Sequence, residues 1–247
     1  MSRELTPEDH ARYEWQMWIP DLGPAGQKKL KNSAVLISRV GGLGGLVAYE
    51  LAAAGIGKLI LAHGGNLKPS DLNRQLLMSH DKLGQPRIEQ LTQRLKAFNP
   101  DVEIQTLNEN VAPHNVQALV SAADVVVDCA PKFEERYLLN EESVKQKKPM
   151  VEAAMYELEA SLTTFIPGKT PCLTCLYPEK PPNWKRQFPV LGGVAGTAGC
   201  LAAIEAVKVI TGIGKPLTNR MLMMDLREMN FKTVNIKVRE GCPVCQS

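Results

Sequence analysis

An α/β fold of Rossmann-like type is what this sequence predicts: a mixed, mainly parallel sheet with helices on both faces. Three observations predict it. A strand, a glycine turn, a helix and a second strand follow one another within the first 62 residues. The strand–helix alternation then continues to about residue 155. Beyond that point Leu158 to Ile166 alternates polar and apolar residues, as an antiparallel strand does.

The elements justify this reading in order. Thr6 to Leu30 reads as helical and carries Trp15 and Trp18 among charged residues. Ala34 to Ile37 is a short apolar run of the kind found in buried parallel strands. Val40-Gly-Gly-Leu-Gly-Gly45 turns the chain into an alanine-rich helix, Leu46 to Ala54, and Lys58 to Ala62 is the second strand. Pro86 to Phe98 places Ile88, Leu91 and Leu95 on one helical face. Val102 to Leu107, Ala123 to Asp128 and Met150 to Ala154 read as strands, separated by helices at His114 to Val120 and Phe133 to Lys147. The second half holds a proline-rich loop (Pro171 to Pro189), a helix from Gly193 to Ile210, and closing strands at Asn219 to Asp225 and Asn230 to Val238. We expect one domain over 1–247, with a nucleotide-binding half (1–155) and a mixed half (156–247).

Charge and composition exclude some functions. Twenty-nine basic against 26 acidic residues leave a net charge of +3, too little for a nucleic-acid surface. No uninterrupted apolar run reaches the roughly 18 residues of a membrane span. The polar N-terminus lacks a secretory h-region, so a cytoplasmic protein without a membrane partner is expected.

Four of the six cysteines form two Cys-x-x-Cys pairs, Cys172/Cys175 and Cys242/Cys245. Four thiolates at this spacing suit tetrahedral Zn²⁺, and a site closed by four protein ligands is structural. Two redox-active pairs are the other reading. Cys129 and Cys200 sit in apolar surroundings and read as core thiols.

Gly41-Gly42-x-Gly44, between strand and helix, lets backbone N–H groups approach a phosphate. The same glycines also suit close helix–sheet packing, and both readings stay open. The dinucleotide fingerprint would place glycine at position 39, where the chain has Arg39, and an acidic residue at the end of the second strand, where it has His63. A nicotinamide oxidoreductase is therefore disfavoured. His10, His80 and His114 lack partners at ligand spacing, and Lys145 to Lys148 suits a helix C-terminus. Trp184 with Lys185-Arg186 reads either as a receiver for an acidic carrier or phosphates, or as a solvated loop tip.

Arg12-Tyr-x-x-Gln16, Leu22-Gly-x-x-Gly-Gln27, Gly41-Gly-Leu-Gly44, Ala54-Gly-Ile-Gly57, Leu72-Asn-Arg-Gln75, Asn99-Pro100, Arg136-Tyr-Leu-Leu-Asn140, Pro171-Cys-x-x-Cys175, Gly193-Val194 and the terminal Cys-Pro-x-Cys occur in order along nearly the whole chain. Together they resemble the HesA/MoeB/ThiF family of E1-like activating proteins. His63-Gly-Gly65 and Met150-Val-Glu-Ala-Ala154 bring it nearest the HesA branch, associated with nitrogen-fixation gene clusters. The resemblance implies homodimers that use ATP and Mg²⁺ to adenylate the C-terminus of a ubiquitin-like sulfur carrier, or a small carboxylate, in sulfur transfer or cofactor assembly. Residue by residue, the implied nucleotide-binding set is Gly41, Gly42, Gly44, Asn73, Arg74, Gln75 and Arg87, with Arg74 and Arg87 as residual catalytic cations.

Other family positions are changed. The arginine offered across the dimer is Trp15, which would fill the vacated dimer pocket or join the core. The ribose-binding aspartate is His63, the acidic residue two later is Gly65, and the asparagine opening the Asn-Leu-x-Arg-Gln motif is Asp71. The phosphate-contacting lysine is Arg87. The Mg²⁺-binding Asp-Asn pair falls on Pro131 and Lys132, and the crossover-loop cysteine on Pro189. Weak or lost adenylation is expected. An active enzyme using Asp71 or Asp128 for its metal, and a non-catalytic scaffold or partner subunit, are the alternatives.

Overall fold

The computed structural model describes residues 2–181 and 188–245. Trp184, Lys185 and Arg186 lie outside the described residues. Eight strands form one sheet in the order β3-β2-β1-β4-β5-β6-β7-β8. Strands β1 (Ala34–Ser38), β2 (Lys58–Ala62), β3 (Glu103–Leu107), β4 (Val125–Asp128) and β5 (Met150–Tyr156) run parallel. β6 (Glu159–Phe165), β7 (Arg220–Asp225) and β8 (Asn230–Asn235) continue it antiparallel. The predicted mixed, mainly parallel sheet is the observed one.

Strand side chains alternate between two cores, as a period of two requires. Val35, Ile37, Leu59, Leu61, Val125 and Val127 pack on one face with α4 (Gly42–Ala53), α5 (Arg87–Phe98) and α9 (Gly192–Thr211). Leu36, Ile60 and Val126 face the other side, against α6 (Val116–Ser121), α7 (Phe133–Lys145) and α8 (Leu173–Leu176). Both faces are covered, which is why these strands are apolar throughout.

The helix α9 runs 20 residues with a mean hydropathy of 1.5, long and apolar enough by composition to cross a bilayer. Its small residues instead pack on α4: a Cβ on Gly199 would stand 2.7 Å from the Leu43 carbonyl oxygen.

The N-terminal segment is three helices where the sequence reads as one: α1 (Pro7–Arg12), α2 (Glu14–Met17) and α3 (Gly23–Lys31). Proline disfavours a helical residue before it, and α2 ends at Met17 with a turn closed by the Leu22 N–H on the Ile19 carbonyl. Several recurring motifs meet at this point. Gln16 and Gln27 each donate to the Ala54 carbonyl, at 3.0 and 2.9 Å. Asn99 donates to the Ala52 carbonyl at 2.8 Å and to the Tyr13 hydroxyl at 3.0 Å. Carbonyls at a helix end lack i+4 donors; here the Ala52 carbonyl, which also accepts from the Gly55 N–H, and the Ala54 carbonyl just past α4 receive these amides. Tyr13, Gln16, Gln27, Gly55 and Asn99 thus hold α4 in place. Gly55 has φ +83°, and a Cβ there would lie 2.5 Å from Gln27 Nε2.

Trp15 and Trp18 are not core residues. They are 78% and 66% exposed and stack on each other with ring centroids 6.2 Å apart. Cys129 is buried, whereas Cys200 is only half-buried and faces Glu50 at 3.9 Å.

Candidate active site

The glycine turn sits at the C-terminal end of β1, with Gly41 capping α4. Arg39, standing where the fingerprint would place glycine, has φ +63°. That left-handed conformation costs a side-chain-bearing residue roughly 1 kcal/mol. Its guanidinium is fixed by Glu135 of α7 through two bonds of 2.6 Å, a bidentate pair between two largely buried side chains. Gly44 lacks room for any side chain, since a Cβ would come 2.6 Å from the Arg39 carbonyl oxygen. Packing thus requires Gly44, while Gly41 and Gly42 border polar side chains. A Cβ on Gly41 would meet Gln75 and His63 at 3.5 and 3.7 Å, and one on Gly42 would meet Arg74 at 2.9 Å.

Arg74 and Gln75 therefore meet the first turn of α4, with Arg87 joined to Arg74 through Asp71 and Asn73 on the exposed rim, its Oδ1 accepting from Arg74 at 2.8 Å. Asp71 organises the cations. Arg87 donates to it at 2.6 and 3.1 Å, Arg74 approaches at 3.4 Å, and its Oδ2 also accepts from the Lys68 N–H. Burial is the strongest influence and pushes the pKa of Asp71 up, yet the Arg87 and Lys68 hydrogen bonds and the Arg87 and Arg74 charges together hold its carboxyl below the usual range.

His63 lies at the edge of this cluster, 6% exposed. Burial first, then the Arg39 and Arg87 charges, lower its ring to about 3, so it is neutral at physiological pH.

A second polar cluster escapes sequence reasoning. In register across three parallel strands stand Ser38, Asp128 and Glu152. Ser38 donates to Asp128 at 3.1 Å, and Arg136 of α7 binds both Asp128, at 3.4 Å, and Glu152. Burial raises both carboxyls against the pull of Arg136, Glu152 to about 7. Glu152 and Arg136 line a cavity of about 510 Å³ with Phe133, Tyr156, Tyr177 and Met223, over the antiparallel strands. The available signal was a charged residue, Glu152, inside the apolar run of β5.

The four paired cysteines come together from α8 and the C-terminal tail. Their sulfurs lie within 4.8 Å of one another, with separations of 3.9, 3.7 and 3.4 Å for 172–175, 172–242 and 175–245. A tetrahedral ion with metal–sulfur bonds near 2.3 Å implies sulfur–sulfur edges of about 3.8 Å. The set fits one metal ion.

Comparison with known proteins agrees with this architecture. The sequence matches the ThiF family over residues 13–244. It is 50% identical over 241 residues to Protein HesA, heterocyst, of Trichormus variabilis, covering 98% of this chain and 90% of that protein. It is 36% identical over 250 residues to the SAMP-activating enzyme E1 of Haloferax volcanii, covering 99% and 92%. The crystal structure of E. coli MccB with ATP superimposes with a TM-score of 0.85 at 25% identity, covering 96% of this chain and 75% of that one. Fold, motif order and relatives converge, and the chain belongs to the ThiF family of E1-like proteins.

Proposed function

We propose that this chain is a HesA-type activating protein of sulfur transfer or cofactor assembly that retains a nucleotide cradle but is weak or silent as an adenylyltransferase. In the family reaction a carboxylate oxygen attacks the α-phosphorus of ATP, and pyrophosphate leaves. The main contributions to such a step are positioning and neutralisation of the phosphate charges. Gly41, Gly42, Gln75, Arg74 and Arg87 serve the cradle, with Asn73 at its rim, and the cavity beside Glu152 receives the carboxylate-ended substrate, a carrier C-terminus or a small acid.

One observation carries the weak-activity reading. The acidic groups suited to replace a metal carboxylate at Pro131 are already engaged. Asp71 is held by Arg87 and Arg74. Asp128 is fully buried and held by Arg136, Ser38 and the Ala130 N–H. Mg²⁺ binding would have to break these pairs, and stripping a buried arginine of its partner costs several kcal/mol. This argues against an active enzyme with Asp71 or Asp128 as metal ligands.

The cysteine site takes zinc, since four thiolates in tetrahedral array favour it. The exposed Trp15–Trp18 stack suits a homodimer contact, because large aromatics on a surface mark interfaces.

Pyrophosphate exchange into ATP, with a ubiquitin-like carrier added, tests the reading. Exchange at or near the uncatalysed rate supports it. Rapid, carrier-dependent exchange would contradict it.

A further inference from the structure

The position where a metal carboxylate would stand falls on Pro131, followed by Lys132, and neither side chain can bind a divalent cation. Three buried acids lie at this end of the sheet, and an arginine holds each: Asp71 with Arg87 and Arg74, Glu135 with Arg39, Asp128 with Arg136. The residues present do not fit Mg²⁺. Phosphate charge on a bound nucleotide still has to be neutralised, so the chain must supply the cation itself.

Arg39 stands at the place that requires one. β1 and β4 are adjacent parallel strands, and the helices that follow them, α4 and α7, cover opposite faces of the sheet. Ligands of open α/β sheets enter the crevice that such a divergence leaves beyond the strand ends. The Arg39 N–H bonds the Ala62 carbonyl at 2.8 Å, two residues before Gly41, and its side chain reaches Glu135 in the first turn of α7. The pair therefore spans the crevice, from the glycine turn to the segment that begins at Pro131. Its charge also reaches the other side of that turn. After burial, Arg39 is the largest influence lowering His63, whose ring borders Gly41.

Glu135 fixes this guanidinium without exhausting it. Nε and Nη2 donate to the carboxylate, whereas Nη1 donates to no group among the described residues and is not one of the buried polar atoms shut off from solvent. A planar fork held along one edge presents its remaining N–H groups in a set direction. With Arg74, Arg87 and Asp71 included, three guanidinium groups meet two carboxylates here, an excess of one positive charge.

We propose that Arg39 Nη1 donates to a phosphate oxygen of the nucleotide, so that this chain binds ATP without a divalent ion, a resident guanidinium taking the place of the metal. This rests on the nucleotide-binding reading above. The ligand class is a metal-free ribonucleotide polyphosphate.

Calorimetric titrations with ATP and with adenosine, both in EDTA, test it. The wild type should bind ATP in EDTA. Arg39→Gln should weaken ATP about tenfold or more, as loss of a charge-assisted bond implies, and leave adenosine within about twofold. That variant also leaves Glu135 facing the phosphates. Arg39→Gln with Glu135→Gln removes the repulsion and should still bind ATP about fivefold or more below the wild type. Wild-type affinity for ATP in the double variant would overturn the role of Arg39 while leaving the nucleotide site standing. Equal losses for ATP and adenosine would do the same, as would wild-type binding of ATP only when Mg²⁺ is added. No binding of ATP with or without Mg²⁺ would overturn both this role and the nucleotide reading.

Discussion

Arg39 and Glu152 each depart from what their backbone position favours, and in each a neighbour supplies the reason. Arg39 sits at a left-handed φ that glycine would adopt freely, and Glu135 holds it there. Replacing it with glycine relieves the backbone but leaves Glu135 buried and unpaired. Breaking such a pair costs about 3–5 kcal/mol, against roughly 1 kcal/mol regained. Arg39→Gly should therefore lose about 2–4 kcal/mol in urea unfolding, and adding Glu135→Ala should recover most of it. Glu152 makes the opposite compromise: its carboxyl, ordinarily near 4.5, is raised to about 7 by burial. An acid raised in the folded state stabilises through its protonated form, fully below about 4.5, and this is lost as the pH climbs through about 7. Glu152→Gln should thus match the wild type in melting temperature at pH 5 and exceed it at pH 8. A melting temperature lower than wild type at both pH values would contradict the assignment.

At the scale of elements, the two glycine-rich helices use glycine for different ends. In α4, Gly44 admits the close approach of the Arg39 carbonyl, and Gly44→Ala should cost about 1–3 kcal/mol by overpacking. In α9, nothing lies within 4 Å of a Cβ on Gly193, so Gly193→Ala should be neutral or add up to about 1 kcal/mol. Chemical denaturation of the pair distinguishes packing glycines from permissive ones. Most elements were legible because buried parallel strands leave short apolar runs and amphipathic helices leave a period. The helix breaks around Tyr13 and Pro20 were less so, because cap geometry depends on Gln27 and Asn99 arriving from elsewhere. The motif Arg12-Tyr-x-x-Gln16 was legible as a motif but not as the clasp on α4, since its acceptor, the Ala54 carbonyl, is a backbone group.

Across the whole molecule, the cysteine clip joins α8 to the tail between cysteines 70 residues apart in sequence, so the ion it fits would close a long loop. Chelation, or Cys175→Ser, should lower the melting temperature by several degrees and expose the C-terminal tail to protease, while a site of redox pairs would be indifferent to chelators. The spacing made this site legible from sequence. The Arg136 cluster was not, because Asp128, Arg136 and Glu152 meet only through strand register and the α7 crossover. The glycine turn was legible as a turn between β1 and α4, suited either to a phosphate or to close packing, but its charge balance was not: Asp71 looks like an available metal ligand until Arg87 is seen to occupy it. The proposed function depends on that balance: backbone and cations are proposed to hold the nucleotide, with Asp71 and Asp128 already paired to arginines. Calorimetric titration of ATP with and without Mg²⁺, in the wild type and in Pro131→Asp, measures it directly. The wild type should bind ATP weakly, with affinity changing less than about twofold on adding Mg²⁺, and Pro131→Asp should gain a clear Mg²⁺ dependence. Tight, strongly Mg²⁺-dependent binding by the wild type would contradict the account.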